Sequence, residues 1–113
     1  MEHHSDQFFI NDHSTWEHMW EGIQRKILGY DDRLMLVRVK FTKGTEAPSH
    51  QHPHSQVSFI AKGKFKVQIG DQISILSAGD GFYVPPEVIH GVTAMEDGEI
   101  IDGFSPVRED FLK

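Results

Sequence analysis

Short stretches in which apolar and polar side chains alternate, each ended by a turn signal, constrain the fold of this chain most strongly. The clearest has Phe65, Val67 and Ile69 alternating with lysine and glutamine, and a second runs from Met35 to Phe41. A period of two residues is that of a β-strand with one buried face. Because about eight or nine such stretches follow one another with almost no helical pattern between them, we predict an all-β sandwich, jelly roll or closed barrel.

The length of the chain predicts one domain. Its 113 residues, of which 38% are hydrophobic, suffice for a single compact core. No linker or repeat divides it, so we assign residues 1–113 to one domain, with residues 1–22 as an N-terminal arm. This segment would be a short strand or extended arm followed by an irregular turn, or Ser14 or Thr15 would cap a short helix over residues 16–20 before Gly22 ends it.

Composition excludes several classes of function. The chain has no cysteine, which rules out disulfides, cysteine zinc sites and a thiol nucleophile. Its net charge of −6 provides no basic excess for binding nucleic acid. No apolar run is long enough to span a bilayer, so we expect no membrane partner. The N-terminus lacks the pattern of a secretion signal, and we therefore expect a cytoplasmic protein.

A cluster of histidines is the main chemical signal. Of eight histidines, His50, His52 and His54 lie within five residues. On an extended strand, His50 and His52 would point to one face, about 6–7 Å apart. Gln56 returns to that face if the strand phase is kept, and a barrel that joins the two hairpins would add His90. This spacing leaves two interpretations open, a metal site with three histidines and one glutamine, or a chance His-x-His with His54 as a solvated turn residue.

Two longer patterns around these histidines resemble the cupin family. The spacing of Gly44, His50, His52, Gln56 and Gly63 is similar to the first cupin motif, with glutamine in place of the usual glutamate. The spacing of Gly79, Pro85, Pro86 and His90 is similar to the second, with Glu87 where the family has glycine and Ala94 where it often has asparagine. The motifs cover residues 44–63 and 79–94. The resemblance implies a small single-domain cupin, a β-barrel or jelly roll of antiparallel strands.

Further segments resemble the small cupins of pectin degradation and uronate metabolism: residues 16–41, 50–56 and 104–112. This resemblance implies a metal-dependent enzyme that converts the 4,5-unsaturated monouronates released by pectin or alginate lyases into linear 5-keto-4-deoxyuronate. It implies one divalent transition metal, Ni, Zn, Fe, Mn or Co, as cofactor. The ligands it implies are His50, His52, Gln56 and His90, and the residues facing the uronate substrate are Asp102, Phe104 and Arg108.

Each of the last three residues has a structural interpretation beside the functional one. Asp102 lies between apolar residues of the same strand parity, where burial would raise its pKa and suit it to acid–base catalysis. On an outer face, or paired with an arginine, it would be structural. Arg108 would either bind the substrate carboxylate with its planar fork or pair with Glu109 or Asp110 at the surface. Phe104 would either stack on the sugar ring or belong to the core.

Further residues are secondary candidates. Arg25 and Arg38 each interrupt a strand face that could point into the barrel, so both are candidates for binding an anion. Tyr83, near the second motif, is a candidate for lining the pocket. If Gln56 faces inward, its neighbours Val57 and Phe59 face outward, and exposed apolar residues on a sheet suggest a homodimer.

Two other functions remain open from the sequence. One is a cupin that binds a sugar acid without changing it. The other is a metal-dependent oxygenase or a different isomerase on the same fold, because a fold does not determine a reaction. A ligand set of three histidines and one glutamine differs from the two histidines and one carboxylate that iron dioxygenases usually use.

Overall fold

A computed structural model describes residues 2–113, in which ten strands form two antiparallel sheets. The strands are β1 (Glu17–Trp20), β2 (Ile23–Asp31), β3 (Leu34–Phe41), β4 (Glu46–His50), β5 (Ser55–Lys62), β6 (Lys64–Ile69), β7 (Gln72–Ser77), β8 (Gly81–Val84), β9 (His90–Ala94) and β10 (Gly98–Ser105). Short 3-10 turns cover Asn11–His13 and Glu109–Leu112. Among the described residues, no helix has the length and apolar character needed to cross a membrane.

The strand order is that of a jelly roll. The larger sheet has the order β1-β2-β3-β10-β5-β8 and the smaller has β4-β9-β6-β7. The last strand of the chain thus lies between β3 and β5 in the centre of the larger sheet. Within residues 2–113 the two sheets share no paired strands, so they form an open sandwich and not a closed barrel. The predicted all-β jelly roll is confirmed.

The core follows the period-two pattern of the sequence. On β3, Met35, Val37 and Val39 are buried, and on β6 Phe65 is fully buried. Phe65 meets Phe41 edge to face, with ring centroids 5.0 Å apart, which joins the two sheets. This apolar packing closes one part of the sandwich and leaves polar side chains on the inner face elsewhere.

Of the two predictions for the N-terminal segment, the helix is wrong. Residues 17–20 form strand β1 and not a helix, and Glu17 pairs with Arg25 of β2. Five residues are too few for a stable isolated helix, whereas the edge of β2 offers backbone hydrogen-bond partners. Just before β1, the Trp16 ring lies against the outer face of the larger sheet, 4.4 Å from the Lys40 ammonium.

Gly98 provides a test of this packing. A Cβ at Gly98 would lie 2.8 Å from two ring carbons of Phe65, which is buried in the core. We therefore expect Gly98→Ala to lower the free energy of unfolding by about 1–3 kcal/mol, measured by chemical denaturation. Gly29→Ala is the matched control, because its nearest neighbour is the Ser5 hydroxyl at 3.8 Å. Equal stability of the two variants would contradict the packing described here.

Candidate metal and substrate site

A cavity of about 680 Å³ opens between the inner faces of the two sheets. Its walls come from every strand except β6 and β7, and from the C-terminal turn. The volume lies within the range of small-molecule binding sites, roughly 300–1,000 Å³. Most of the candidates from the sequence line this cavity: Arg25, His50, Gln56, His90, Asp102, Phe104 and Arg108.

Three histidines converge at the cavity. His50 ends β4 and pairs in register with His90, which begins β9, while His52 lies in the loop that leads to β5. One ring nitrogen of each lies within 4.8 Å of the others. His52 and His90 are buried and His50 is exposed. The pairing of β4 with β9 thus brings His90 to His50, as expected for two hairpins that meet, whereas His52 lies in a loop and not on the extended strand that the sequence pattern suggested.

Backbone carbonyls orient all three imidazoles. In each case Nδ1 lies 2.9–3.2 Å from the carbonyl oxygen of a residue two positions away. Because a carbonyl can only accept, each Nδ1 carries a proton, and in the neutral imidazole each Nε2 then has a free lone pair. The pairs are His50 with Pro48, His52 with His54, and His90 with Val88. This outer hydrogen bonding is typical of histidines that hold a metal.

Gln56 completes a donor set that fits a cation. Its Oε1 lies 3.0 Å from His52 Nε2, and its Nε2 donates to Ser58 Oγ at 3.0 Å and to Asp102 at 3.3 Å. Two acceptor atoms, His52 Nε2 and Gln56 Oε1, therefore face each other, which is unfavourable unless a proton or a cation lies between them. Burial lowers the pKa of His52, which disfavours the proton.

The His90 ring supports the same conclusion. Its Nε2 is buried and has no hydrogen-bond partner within residues 2–113. Burial lowers the pKa of His90 to about 4, so the ring is neutral at pH 7 and offers a lone pair. With His50, His52 and Gln56 it makes a set of neutral nitrogen and oxygen donors that suits a divalent transition metal.

Asp102 lies on the inner face of β10, beside this donor set. Its neighbours across the sheet are Val37 of β3 and Ser58 of β5. The Ser58 hydroxyl donates to Asp102 Oδ1 over 2.6 Å. Burial raises the pKa of Asp102 to about 6, against the opposing effects of the Ser58 hydrogen bond and the Arg108 charge. The sequence analysis did not identify Ser58 as a hydrogen-bond partner of Asp102. Ser58 lies two residues after Gln56 on the same strand, so its side chain could have been expected on the same inner face.

Arg108 makes the pairing with Asp110 that is one of its two predicted interpretations. Its Nε and Nη2 donate to the Asp110 carboxylate over 3.1 and 2.9 Å, yet the residue is only 8% exposed and lines the cavity. The guanidinium lies 5.0 Å from the Phe104 ring centroid and 4.2 Å from that of Phe111. Phe104 is buried, and its ring also meets that of His52 at 5.7 Å. Phe111, in the C-terminal turn, was missed because no local pattern places it in the cavity.

Of the three predicted candidates that do not line the cavity, His52 is buried and the other two face outward. Arg38 is on the outer face of the larger sheet, where its Nε donates to Glu99 over 2.6 Å. It alternates with the buried Val37 and Val39, and this parity turns it away from the core. Tyr83 is 55% exposed on β8 and also faces outward. Arg25, in contrast, shares the parity of a buried residue of β2 and does line the cavity.

At Glu87, where the second cupin motif has glycine, the backbone keeps a conformation that favours glycine. Glu87 has a φ of 65°, in the left-handed region that glycine adopts most easily. Its N–H donates to the His52 carbonyl oxygen over 2.8 Å. The turn that delivers His90 is therefore tied directly to the loop that carries His52.

Comparison with known proteins places the chain in a family. A model of the cupin domain matches residues 37–101. The pectin degradation protein KdgF of Dickeya dadantii (strain 3937) is 42% identical over 108 residues, which cover 94% of this chain and 98% of that protein. The crystal structure of an RmlC-like cupin from Shewanella frigidimarina has a TM-score of 0.93 and 42% identity, covering 96% of this chain and 97% of the other. The structure of KdgF from Halomonas sp. has a TM-score of 0.90 and 40% identity, covering 95% and 99%. The chain belongs to the cupin family and, within it, to the group of KdgF-like cupins.

Proposed function

We propose that this cupin binds one divalent transition metal through His50, His52, His90 and Gln56. The shared orientation of three Nε2 atoms and the facing acceptors of His52 and Gln56 support this set. Four neutral ligands leave the positive charge of the ion uncompensated, which favours an anionic substrate. Among Ni, Zn, Fe, Mn and Co, availability would decide which ion is bound.

Substitution of His50 tests the metal site. His50 is exposed, so His50→Ala removes a ligand without opening a hole in the core. We expect metal affinity, measured by isothermal titration of the metal-free protein, to fall at least about tenfold. The control is His54→Ala, since His54 is not part of the three-histidine cluster. Equal losses in both variants, or none in either, would contradict the ligand set.

We further propose that the enzyme opens 4,5-unsaturated monouronates to linear 5-keto-4-deoxyuronate. The similarity to pectin degradation proteins supports this substrate class. The substrate is a cyclic hemiacetal with an enol ether at C4–C5. The product contains the same atoms, so the reaction needs proton transfers and no oxidant. Asp102, a half-buried carboxyl next to the three-histidine cluster and in the same cavity, is the observation that carries this proposal.

We assign both proton transfers to Asp102. Its carboxylate takes the proton of the C1 hydroxyl, the C1 carbonyl forms, and the bond from C1 to the ring oxygen breaks. The ring oxygen stays on C5 as an enolate, and protonation of C4 by the same carboxyl yields the C5 ketone. A metal ion held by the three histidines and Gln56 would supply Lewis-acid stabilisation of negative charge on the substrate. Ser58 and Gln56 donate to Asp102 and hold its orientation.

Replacement of the carboxyl tests this mechanism. Asp102→Asn keeps the size of the side chain but cannot take up the hydroxyl proton. We expect kcat for loss of the enol-ether absorbance to fall about 10²–10⁴-fold while metal content stays at one ion per chain. Asp71→Asn, in the exposed β6–β7 turn, is the control and should match the parent. An Asp102→Asn protein as active as the parent would refute the mechanism.

We also propose that the protein is a homodimer that pairs through the outer face of the larger sheet. The register places Leu36, Gly103, Val57 and Tyr83 in one row across four strands. The three large residues of this row are exposed, and so is Phe59 beside them. A patch without charged side chains along this row suits a second copy related by a twofold axis.

The oligomeric state can be tested with a matched pair of variants. We expect light scattering during size-exclusion chromatography to give twice the chain mass of 12.9 kDa. Phe59→Glu should give the single-chain mass, because a charge would be buried in the interface. Ile75→Glu is the control, since Phe59 and Ile75 are both 50% exposed but Ile75 lies on the smaller sheet. A single-chain mass for the unmodified protein would contradict the dimer.

A further inference from the structure

Two arginines line the cavity, Arg25 from β2 and Arg108 from the segment before the C-terminal turn. Under the proposed function, the substrate carries one carboxylate. The resemblance implies Arg108 as a residue facing that substrate. The hydrogen-bond partners of the two side chains lead to a different assignment.

The two guanidinium N–H groups of Arg108 that could bind a carboxylate side by side already bind Asp110. Its Nε and Nη2 both donate to the carboxylate of Asp110, over 3.1 and 2.9 Å. This paired arrangement is the one that a guanidinium would use to bind a substrate carboxylate. Asp110 thus places a negative charge directly beside Arg108, although its own side chain is 55% exposed. A ligand carboxylate would therefore have to displace Asp110 to use the same atoms.

Arg25 lacks such a partner. Its Nε is buried and donates to no acceptor within the described part of the chain. The nearest carboxylate oxygen, Glu17 Oε1, is 3.7 Å from Nε, beyond hydrogen-bond distance. The Glu17 side chain is 52% exposed, whereas that of Arg25 is only 15% exposed. A buried donor without an acceptor is unfavourable, and an anionic ligand in the cavity would satisfy it.

Phe111 holds the Arg25 guanidinium in place. The guanidinium carbon lies 4.0 Å from the centroid of the Phe111 ring. Arg108 lies against the same ring at 4.2 Å, and its pairing with Asp110 anchors the turn that carries Phe111. Stacking on an aromatic ring reduces the freedom that a long side chain loses when it binds a ligand. The Arg25 fork is thus ordered before a ligand arrives.

We propose that Arg25 binds the carboxylate of the sugar acid, and that the Asp110-bound Arg108 is a positioning residue for Phe111 and Arg25. The identity of the ligand as a uronate rests on the proposed function. The assignment of the carboxylate to Arg25 rests on the buried, unpartnered Nε and on the occupied fork of Arg108.

Binding of an unreactive sugar acid tests the assignment without turnover. Isothermal titration of metal-loaded protein with galacturonate and with its neutral methyl ester should show tighter binding of the acid. We expect Arg25→Gln to weaken galacturonate binding about 10- to 100-fold while binding of the ester stays within twofold. Arg25→Lys should recover part of the lost galacturonate affinity, because lysine keeps the positive charge but lacks the planar guanidinium that binds a carboxylate through two N–H groups.

Two further variants serve as controls. Glu17→Gln removes the carboxylate nearest to Arg25, so it should tighten galacturonate binding. Arg33→Gln removes a charge from an exposed turn and should change nothing. The assignment is overturned if Arg25→Gln weakens the acid and the ester equally or leaves both unchanged. It is also overturned if the parent protein shows no preference for the acid.

The same variants separate this inference from the proposed function. If galacturonate binding depends on Arg25 but no unsaturated monouronate is opened, the proposed reaction fails and the Arg25 assignment stands. If the parent protein opens the ring and Arg25→Gln keeps its KM, the reaction stands and the assignment fails. If both hold, Arg25→Gln should raise KM more than it lowers kcat.

Discussion

The antiparallel pairing of β5 with β10 is the constraint on which the site depends. This register places Asp102 opposite Ser58 and Phe104 opposite Gln56, all with side chains toward the cavity. A shift of one residue in the register of either strand would turn its cavity-side residues to the outer face of the sheet. The hydrogen bonds from Ser58 and Gln56 to Asp102 offset part of the cost of burying its carboxyl group. The catalytic candidate and one proposed metal ligand therefore share a single network.

The second half of the site comes from the smaller sheet. Pairing of β4 with β9 brings His50 to His90, and the backbone contact of Glu87 with His52 ties the connecting turn to the histidine loop. The two sheets thus contribute different chemistry to one cavity, a carboxyl with its donors from one and two of the histidines from the other. The apolar contact of Phe41 with Phe65 holds the sheets together away from this polar region.

Alternation along single strands could be predicted from sequence, and so could the parts of the site that depend on it. Gln56 and Ser58 are buried while Val57 and Phe59 are exposed, as the parity of β5 predicts. The same rule applied strictly would have turned Arg38 outward, because its neighbours Val37 and Val39 are buried. The pairing of Arg108 with Asp110 was one of the two interpretations that the sequence left open. Its contact with Phe111 could not be predicted, since it depends on how the C-terminal turn folds back over the cavity. Strand β1 could be predicted only as an alternative to a helix, because its stability comes from the edge of β2 and not from local propensity.

The central claim is that a metal-loaded protein opens an unsaturated monouronate by proton transfer. The most direct measurement follows the enol-ether absorbance of such a monouronate with metal-loaded protein, with chelator-treated protein and with buffer alone. The account predicts that the absorbance disappears faster than spontaneous opening only with the metal-loaded protein, without consumption of oxygen. An unaccelerated reaction in the presence of protein with one bound ion per chain would contradict it and would favour a cupin that only binds a sugar acid.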